Sequence, residues 1–193
     1  MGYFLVSGRA QAVMVHVSVG TANALCALMN ASRLEIPMIF MAGRTPITED
    51  RPASEGARTV FVHWAQEMFD QGAMVREFVK WDYELRNNAS INWVITKAHQ
   101  VAESEPSGPV YMTLPRELLI EEMSELQLPP AGRHGQPTAP AADPASIEML
   151  ADWLASAERP LIIAGSSGRY KETVPVLTEI AEITGTPVQG AIV

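Results

Sequence analysis

The chain has 193 residues, 47% of them apolar and 19% charged, with a formal net charge of −8. That balance is globular rather than disordered, and the scattered Lys and Arg exclude the basic stripe of a nucleic-acid binder and the polybasic patch of a membrane-surface protein. One cysteine, Cys26, excludes a disulfide framework or a cysteine zinc site within one chain. Cys26 sits in the apolar run Ala22–Ala31 and reads as a small buried hydrophobe, and a lone thiol fits a reducing, cytoplasmic setting. No apolar run reaches the roughly 18 residues of a membrane span. The opening M-G-Y-F-L-V-S-G-R lacks both the basic start and the apolar length of a signal peptide.

In chain order, the apolar start reads as a helix entered partway. Gln11–Val17 reads as a buried strand that breaks near a glycine. Thr21–Arg33 reads as a helix with Thr21 as its N-cap, and Pro37–Ala42 as a second strand. The order strand, helix, strand implies a parallel pair with a right-handed crossover. Arg44–Thr59 is a long polar loop, long enough to be suspected of function. Val62–Gln71 reads as one amphipathic helix, Ile91–Ser104 as another, and Pro109–Leu114 as a third strand. The Pro- and Ala-rich stretch that begins at Pro129 reads as a semi-rigid linker over 129–142. Beyond it, helix Ile147–Ala157, strand Pro160–Ala164, turn G-S-S-G-R, helix Glu172–Thr184 and strand Pro187–Val193 open a second α/β domain over 143–193. The last strand pattern, like the first helix, reads as cut.

Four stretches are candidates for chemistry. In V-M-V-H-V-S-V-G-T-A-N-A-L, a strand feeds a helix, so His16 falls at the carboxyl edge of a parallel sheet, where ligands of open α/β sheets bind. Two readings stand on the residues alone: a satisfied turn histidine, or a proton donor whose ordinary pKa near 6.5 suits transfer at neutral pH. The stretch A-G-R-T-P follows the second strand, and Arg44 there is either a solvated charge or a partner for a carboxylate or phosphate. In V-H-W-A-Q-E-M-F-D-Q, His63 and Glu67, and Gln66 and Asp70, are one helical turn apart; a polar face of that kind is usually solvated, and no metal site is assigned. L-I-I-A-G-S-S-G-R has two glycines after a strand, yet neither G-x-G-x-x-G nor a P-loop lysine.

Taken together, V-M-V-H-V-S-V-G-T-A-N-A-L, I-P-M-I-F-M-A-G-R-T-P, F-V-K-W-D-Y-E-L and S-G-P-V-Y-M-T-L-P-R-E resemble the pyrimidine-binding domain of thiamine-diphosphate enzymes, in the acetolactate synthase and benzoylformate decarboxylase branch. R-P-L-I-I-A-G is similar to the start of that family's central domain. The resemblance implies an α/β fold: an open, mostly parallel sheet flanked by helices over 1–128, then an incomplete Rossmann-like domain. It implies thiamine diphosphate as cofactor and a cofactor ylid that attacks a 2-keto acid, with the cofactor as electron sink. It implies a dimer or tetramer whose active site is shared between subunits, with Mg²⁺ held by a separate pyrophosphate domain, and it leaves open FAD in the central domain. His16 matches a histidine that serves proton transfer in decarboxylase members. Gly20, Thr21 and Asn23 match the turn beside the aminopyrimidine. Gln66 and Glu67 resemble a Gln-Glu pair near the substrate channel of synthase members, with Ala65 in place of their usual aromatic residue, and Arg44 replaces a glutamine.

The glutamate by which the family activates its cofactor would fall upstream of Met1. The expectation is therefore a fragment, truncated at both ends, inactive as an isolated chain and derived from a decarboxylase or carboligase. The alternative is a non-catalytic or regulatory pyrimidine-domain module that pairs with a separate pyrophosphate-domain chain.

Overall fold

The computed structural model describes residues 1–123, 130, 135 and 138–190. They form two compact units, Met1–Ala139 and Pro140–Val193. Half of the expected linker, and residues 124–128 before it, lie outside the described residues.

The first unit is built on a four-stranded parallel sheet of β1 (Gln11–Val15), β2 (Met38–Arg44), β3 (Asp82–Glu84) and β4 (Pro109–Pro115), in the order β1-β2-β4-β3. Its helices are α1 (Gly2–Ser7), α2 (Val17–Arg33), α3 (Val62–Ala65), α4 (Ile91–Glu103) and α5 (Arg116–Ile120). The fold is therefore α/β, with helices on both faces of a parallel sheet. Period-two alternation divides the core between those faces. Ile39, Val110, Met112 and Leu114 pack with Val94, Ala98 and Ala102 of α4, which recur at helical spacing. Phe40, Ala42 and Tyr111 pack with Leu28 of α2, and Val13 and Val15 of β1 lean on them. Every residue of β4 is buried, which explains its unbroken apolar run. Complete burial of a side chain of this size is worth about 1.5–3 kcal/mol.

Several expectations are corrected. Helix α2 begins at Val17, and its N-cap is His16 rather than Thr21. The strand stops at Val15, Val17 and Ser18 are already buried, and Thr21 turns its hydroxyl inward. Val62–Gln71 is not one helix: α3 ends at Ala65, because Glu67 swings out to Arg58 and Asp70 caps the next turn through the Ala73 N–H. His63 and Glu67 therefore share no helix face. Cys26 is exposed, since the buried positions of α2 are 17, 18, 21, 28 and 31, and 26 falls on the opposite side. Strand β3 is three polar and aromatic residues with no sequence signal of its own.

The second unit contains α6 (Pro144–Ser156), β5 (Ile162–Ala164), α7 (Thr173–Thr184) and β6 (Val188–Gly190), with β5 and β6 parallel. Asp143 caps α6 by accepting from the Ser146 N–H at 2.9 Å, and Pro144 opens it. The G-S-S-G-R stretch is a 3₁₀ turn over Ser166–Arg169. No helix among the described residues is long and apolar enough to cross a membrane.

Candidate functional site at the carboxyl edge of the sheet

The edge is assembled from the ends of β1 and β2 and the chain that follows α3. At the end of β1, His16 is exposed, with extended φ/ψ of −82° and 115° and no side-chain cap bond. Its neighbour Val17 has φ of 27°, a left-handed value that strains a β-branched residue. Helix α2 then passes so close to β1 that a Cβ on Gly20 would lie 2.9 Å from Val15 Cβ. The Gly20 N–H donates to His16 O at 2.6 Å, and Thr21 Oγ1 donates to Val17 O at 2.9 Å. Of the first turns of α2, Ala22 and Asn23 face outward, whereas Thr21 is fully buried.

At the end of β2, Gly43 lies beside this turn: a Cβ there would rest 3.4 Å from Val17 Cγ1. Arg44 Nε donates to Glu84 Oε2 at 3.1 Å, which joins the ends of β2 and β3. The chain after α3 crosses both strand ends. Ser18 Oγ donates to Gln66 O at 2.8 Å, and Gln71 Nε2 donates to Gly43 O at 3.0 Å. Gln71 Nε2 also donates to Tyr111 Oη at 2.9 Å, and that oxygen is 2.8 Å from Thr21 Oγ1. Burial pushes the Tyr111 phenol above its ordinary pKa, so it stays protonated. A cavity of about 220 Å³ opens beside these groups, lined among others by Arg44, Gln71, Arg76, Asp82 and Tyr111. Arg76 spans it, with Nη1 2.9 Å from Asp70 Oδ2 and Nη2 2.9 Å from Asp82 Oδ2.

The long loop is clamped from within. The Arg58 side chain is 6% exposed; its Nε donates to Pro46 O at 2.6 Å and its Nη atoms to both Glu67 oxygens. The Arg58 hydrogen bond holds the Glu67 carboxyl below the usual range, against burial. Glu117 Oε1 accepts from the Ile47 N–H at 2.8 Å and the Thr48 N–H at 2.9 Å. The Thr59 N–H donates to His63 Nδ1 at 3.2 Å, and Arg116 Nη1 is 3.3 Å from Nε2. Burial, then Arg116 and Arg58, lower the His63 pKa. Among the described residues, no group of three or more His, Cys, Asp or Glu is placed to hold a metal.

Thus the sequence-derived candidates His16, Gly20, Thr21, Arg44, Gln66 and Glu67 converge on one edge, whereas the Asn23 side chain stands outward on α2. Sequence reading missed Arg58, Gln71 and Tyr111. Tyr111 gave no polar signal inside P-V-Y-M-T-L, and Arg58 gave none within a loop of scattered charges.

Residues 1–74 match the family model described as "Thiamine pyrophosphate enzyme, N-terminal TPP binding domain". The chain is 26% identical over 189 residues to the acetolactate synthase large subunit of Lactococcus lactis subsp. lactis, covering 97% of this chain and 31% of that one. It is 25% identical over 181 residues to a benzoylformate decarboxylase of Pseudomonas aeruginosa, covering 94% of this chain and 32% of that one. A solved structure of a thiamine diphosphate-dependent 4-hydroxybenzoylformate decarboxylase from Rhodococcus jostii matches with a TM-score of 0.75 at 25% identity, over 98% of this chain and 34% of that one. The chain thus spans about a third of the length of the curated relatives it matches. Residues 1–74 are thus similar to the N-terminal TPP binding domain of the thiamine pyrophosphate enzymes, and the chain is similar along most of its length to acetolactate synthases and a benzoylformate decarboxylase.

Proposed function

We propose that residues 1–193 supply the pyrimidine-binding half of a thiamine-diphosphate site that acts on a 2-keto acid by decarboxylation or carboligation. The observation that carries this reading is His16: an exposed imidazole at the carboxyl end of β1, at the head of α2, in a stretch similar to the thiamine pyrophosphate enzymes. The donor set favours the pyrimidine end of the cofactor. The exposed His16 imidazole is a hydrogen-bonding group suited to a neutral heteroaromatic ring. The same edge is unsuited to the diphosphate, because Arg44, Arg58 and Arg76 are already bonded to Glu84, Glu67, and Asp70 with Asp82. The diphosphate and its Mg²⁺ would therefore be held by residues of another domain, across a subunit interface of a homo-oligomer.

Bound thiamine diphosphate supplies the electron sink for cleavage beside the keto group. In this reading His16 Nε2 or Nδ1 holds and delivers the proton at the substrate carbon. The backbone of Gly20 forms the wall beside the ring, and Thr21 supports that wall from inside. Glu67 and Gln66 border the approach, with Arg58 fixing the carboxylate.

The test has two arms. Residues 1–193 with thiamine diphosphate and Mg²⁺ are expected to decarboxylate benzoylformate or pyruvate no faster than the free cofactor; turnover above that rate overturns the half-site reading. In a protein that joins these residues to a pyrophosphate-binding domain, His16→Ala is expected to lower kcat by about 10²–10⁴-fold, the range of general acid–base catalysis. An unchanged kcat overturns the role of His16.

A further inference from the structure

We infer that the Tyr111 hydroxyl is the positioning group of this edge: it locks the turn that carries His16 to the end of β2 and to the segment 66–71. The inference rests on the reading of His16 given above for its functional meaning, but not for its geometry.

The hydrogens can be assigned one by one. Thr21 Oγ1 donates its single hydrogen to Val17 O. The contact between Thr21 Oγ1 and Tyr111 Oη, at 2.8 Å, must then be donated by Tyr111. Tyr111 Oη in turn accepts from Gln71 Nε2 at 2.9 Å, and the second Nε2 hydrogen goes to Gly43 O at 3.0 Å. The chain therefore runs one way, from the Gln71 amide through the phenol and the threonine hydroxyl to the Val17 carbonyl. It ends on the strained residue that follows His16. A β-branched residue at φ 27° persists only where its surroundings over-determine it. Here the Thr21 hydroxyl, bonded to the Val17 carbonyl and itself held by Tyr111, does so. The amide that starts the chain leaves Gln71 Oε1 buried without a partner. Such a half-satisfied amide is a poor source of stability, yet it fixes three chain segments in one geometry.

The test is amide hydrogen exchange by NMR on the full 193-residue chain without cofactor, comparing wild type, Tyr111→Phe and Gln71→Met. Tyr111→Phe is expected to speed exchange about tenfold or more at Gly20, Thr21, Arg44 and Gln71, with α4 unchanged, and to shift or split the His16 imidazole resonance. Gln71→Met leaves the Tyr111–Thr21–Val17 bonds in place. It is expected to affect Arg44 and residues 66–71 but not Gly20 or Thr21. Uniform acceleration that includes α4, or an unmoved His16 resonance, would mean a merely structural tyrosine and would overturn the inference. If Tyr111→Phe does not fold, Gln71→Met decides: acceleration that extends to Gly20 and Thr21, or none at Arg44, overturns it. All of these readouts are independent of turnover, so a failed His16→Ala assay would sink the functional reading and leave the positioning result standing.

Discussion

Replacing Gly20 with alanine sets two effects of opposite sign against each other. Within a helix, Gly→Ala ordinarily stabilises by about 1 kcal/mol, because glycine has more backbone freedom to lose. At Gly20 the added Cβ would lie 2.9 Å from Val15 Cβ, 3.2 Å from its Cγ2 and 3.3 Å from its carbonyl carbon. Ordinary carbon–carbon contact is about 3.5–4.0 Å, so α2 and β1 must part by roughly half an ångström or more. Overpacking of this kind costs about 1–3 kcal/mol. The net expectation is a loss of about 0–2 kcal/mol, the remainder after the propensity gain is subtracted. Trimming Val15 to alanine should rescue little, because its Cβ and backbone remain. The movement falls on the Gly20 N–H to His16 O bond, so the His16 turn should shift too. Urea unfolding followed by tryptophan fluorescence measures this, in a Trp153→Phe background so that Trp64, Trp81 and Trp93 of the first unit give the signal. A gain of about 1 kcal/mol in Gly20→Ala would refute the close approach of helix and strand.

Gly72→Ala puts a Cβ 2.5 Å from Asp82 Oδ2 and 3.2 Å from Arg76 Nη2, both ends of movable side chains. The backbone is expected to stay while the Asp70–Arg76–Asp82 bridge opens, so stability should become less sensitive to added salt than in wild type; equal salt dependence would count against it. His63 has a folded pKa below its unfolded value, so the unfolded chain takes up the proton first as pH falls. Stability should therefore decline from pH 7.5 to 5.5, with the loss beginning near the ordinary histidine pKa of about 6.5. His63→Gln should flatten that part of the urea-midpoint profile, and an unaltered slope would remove His63 as its cause.

What could be read from the residues follows from where the signal lies. β2, β4 and α4 were legible because burial on two faces leaves an apolar run, and burial on one face of a helix leaves a stripe. His16 was legible as a strand-end residue because Gly20 and the helix pattern follow it. The capping error at Thr21 arose because a threonine before an apolar run looks like an N-cap, whereas here its hydroxyl bonds back to Val17 O four residues earlier. The helix expected over 62–71 failed for a tertiary reason: Glu67 is bonded to Arg58, and local spacing cannot show that partner. Tyr111 was invisible as a polar residue because its ring belongs to the core and only its oxygen belongs to the site.

That division within one side chain explains how the sheet separates stability from chemistry. On the α4 side, β4 presents Val110, Met112 and Leu114, which have no hydrogen bond to make. On the opposite side, the same period-two alternation presents Tyr111 and Thr113. The Tyr111 hydroxyl reaches Thr21 and Gln71, and Thr113 Oγ1 lies 3.4 Å from Glu84 Oε2, the carboxylate that holds Arg44. Polar atoms thus gather on one face, toward the carboxyl end, next to His16 and Arg44. Substitutions that thin the α4 face act on the sheet as a whole, through lost burial. Removal of one hydroxyl from the other face leaves the apolar contacts of that core intact while releasing the segments that shape the edge. The strand whose every residue is buried is, on its other side, the strand that orders the site.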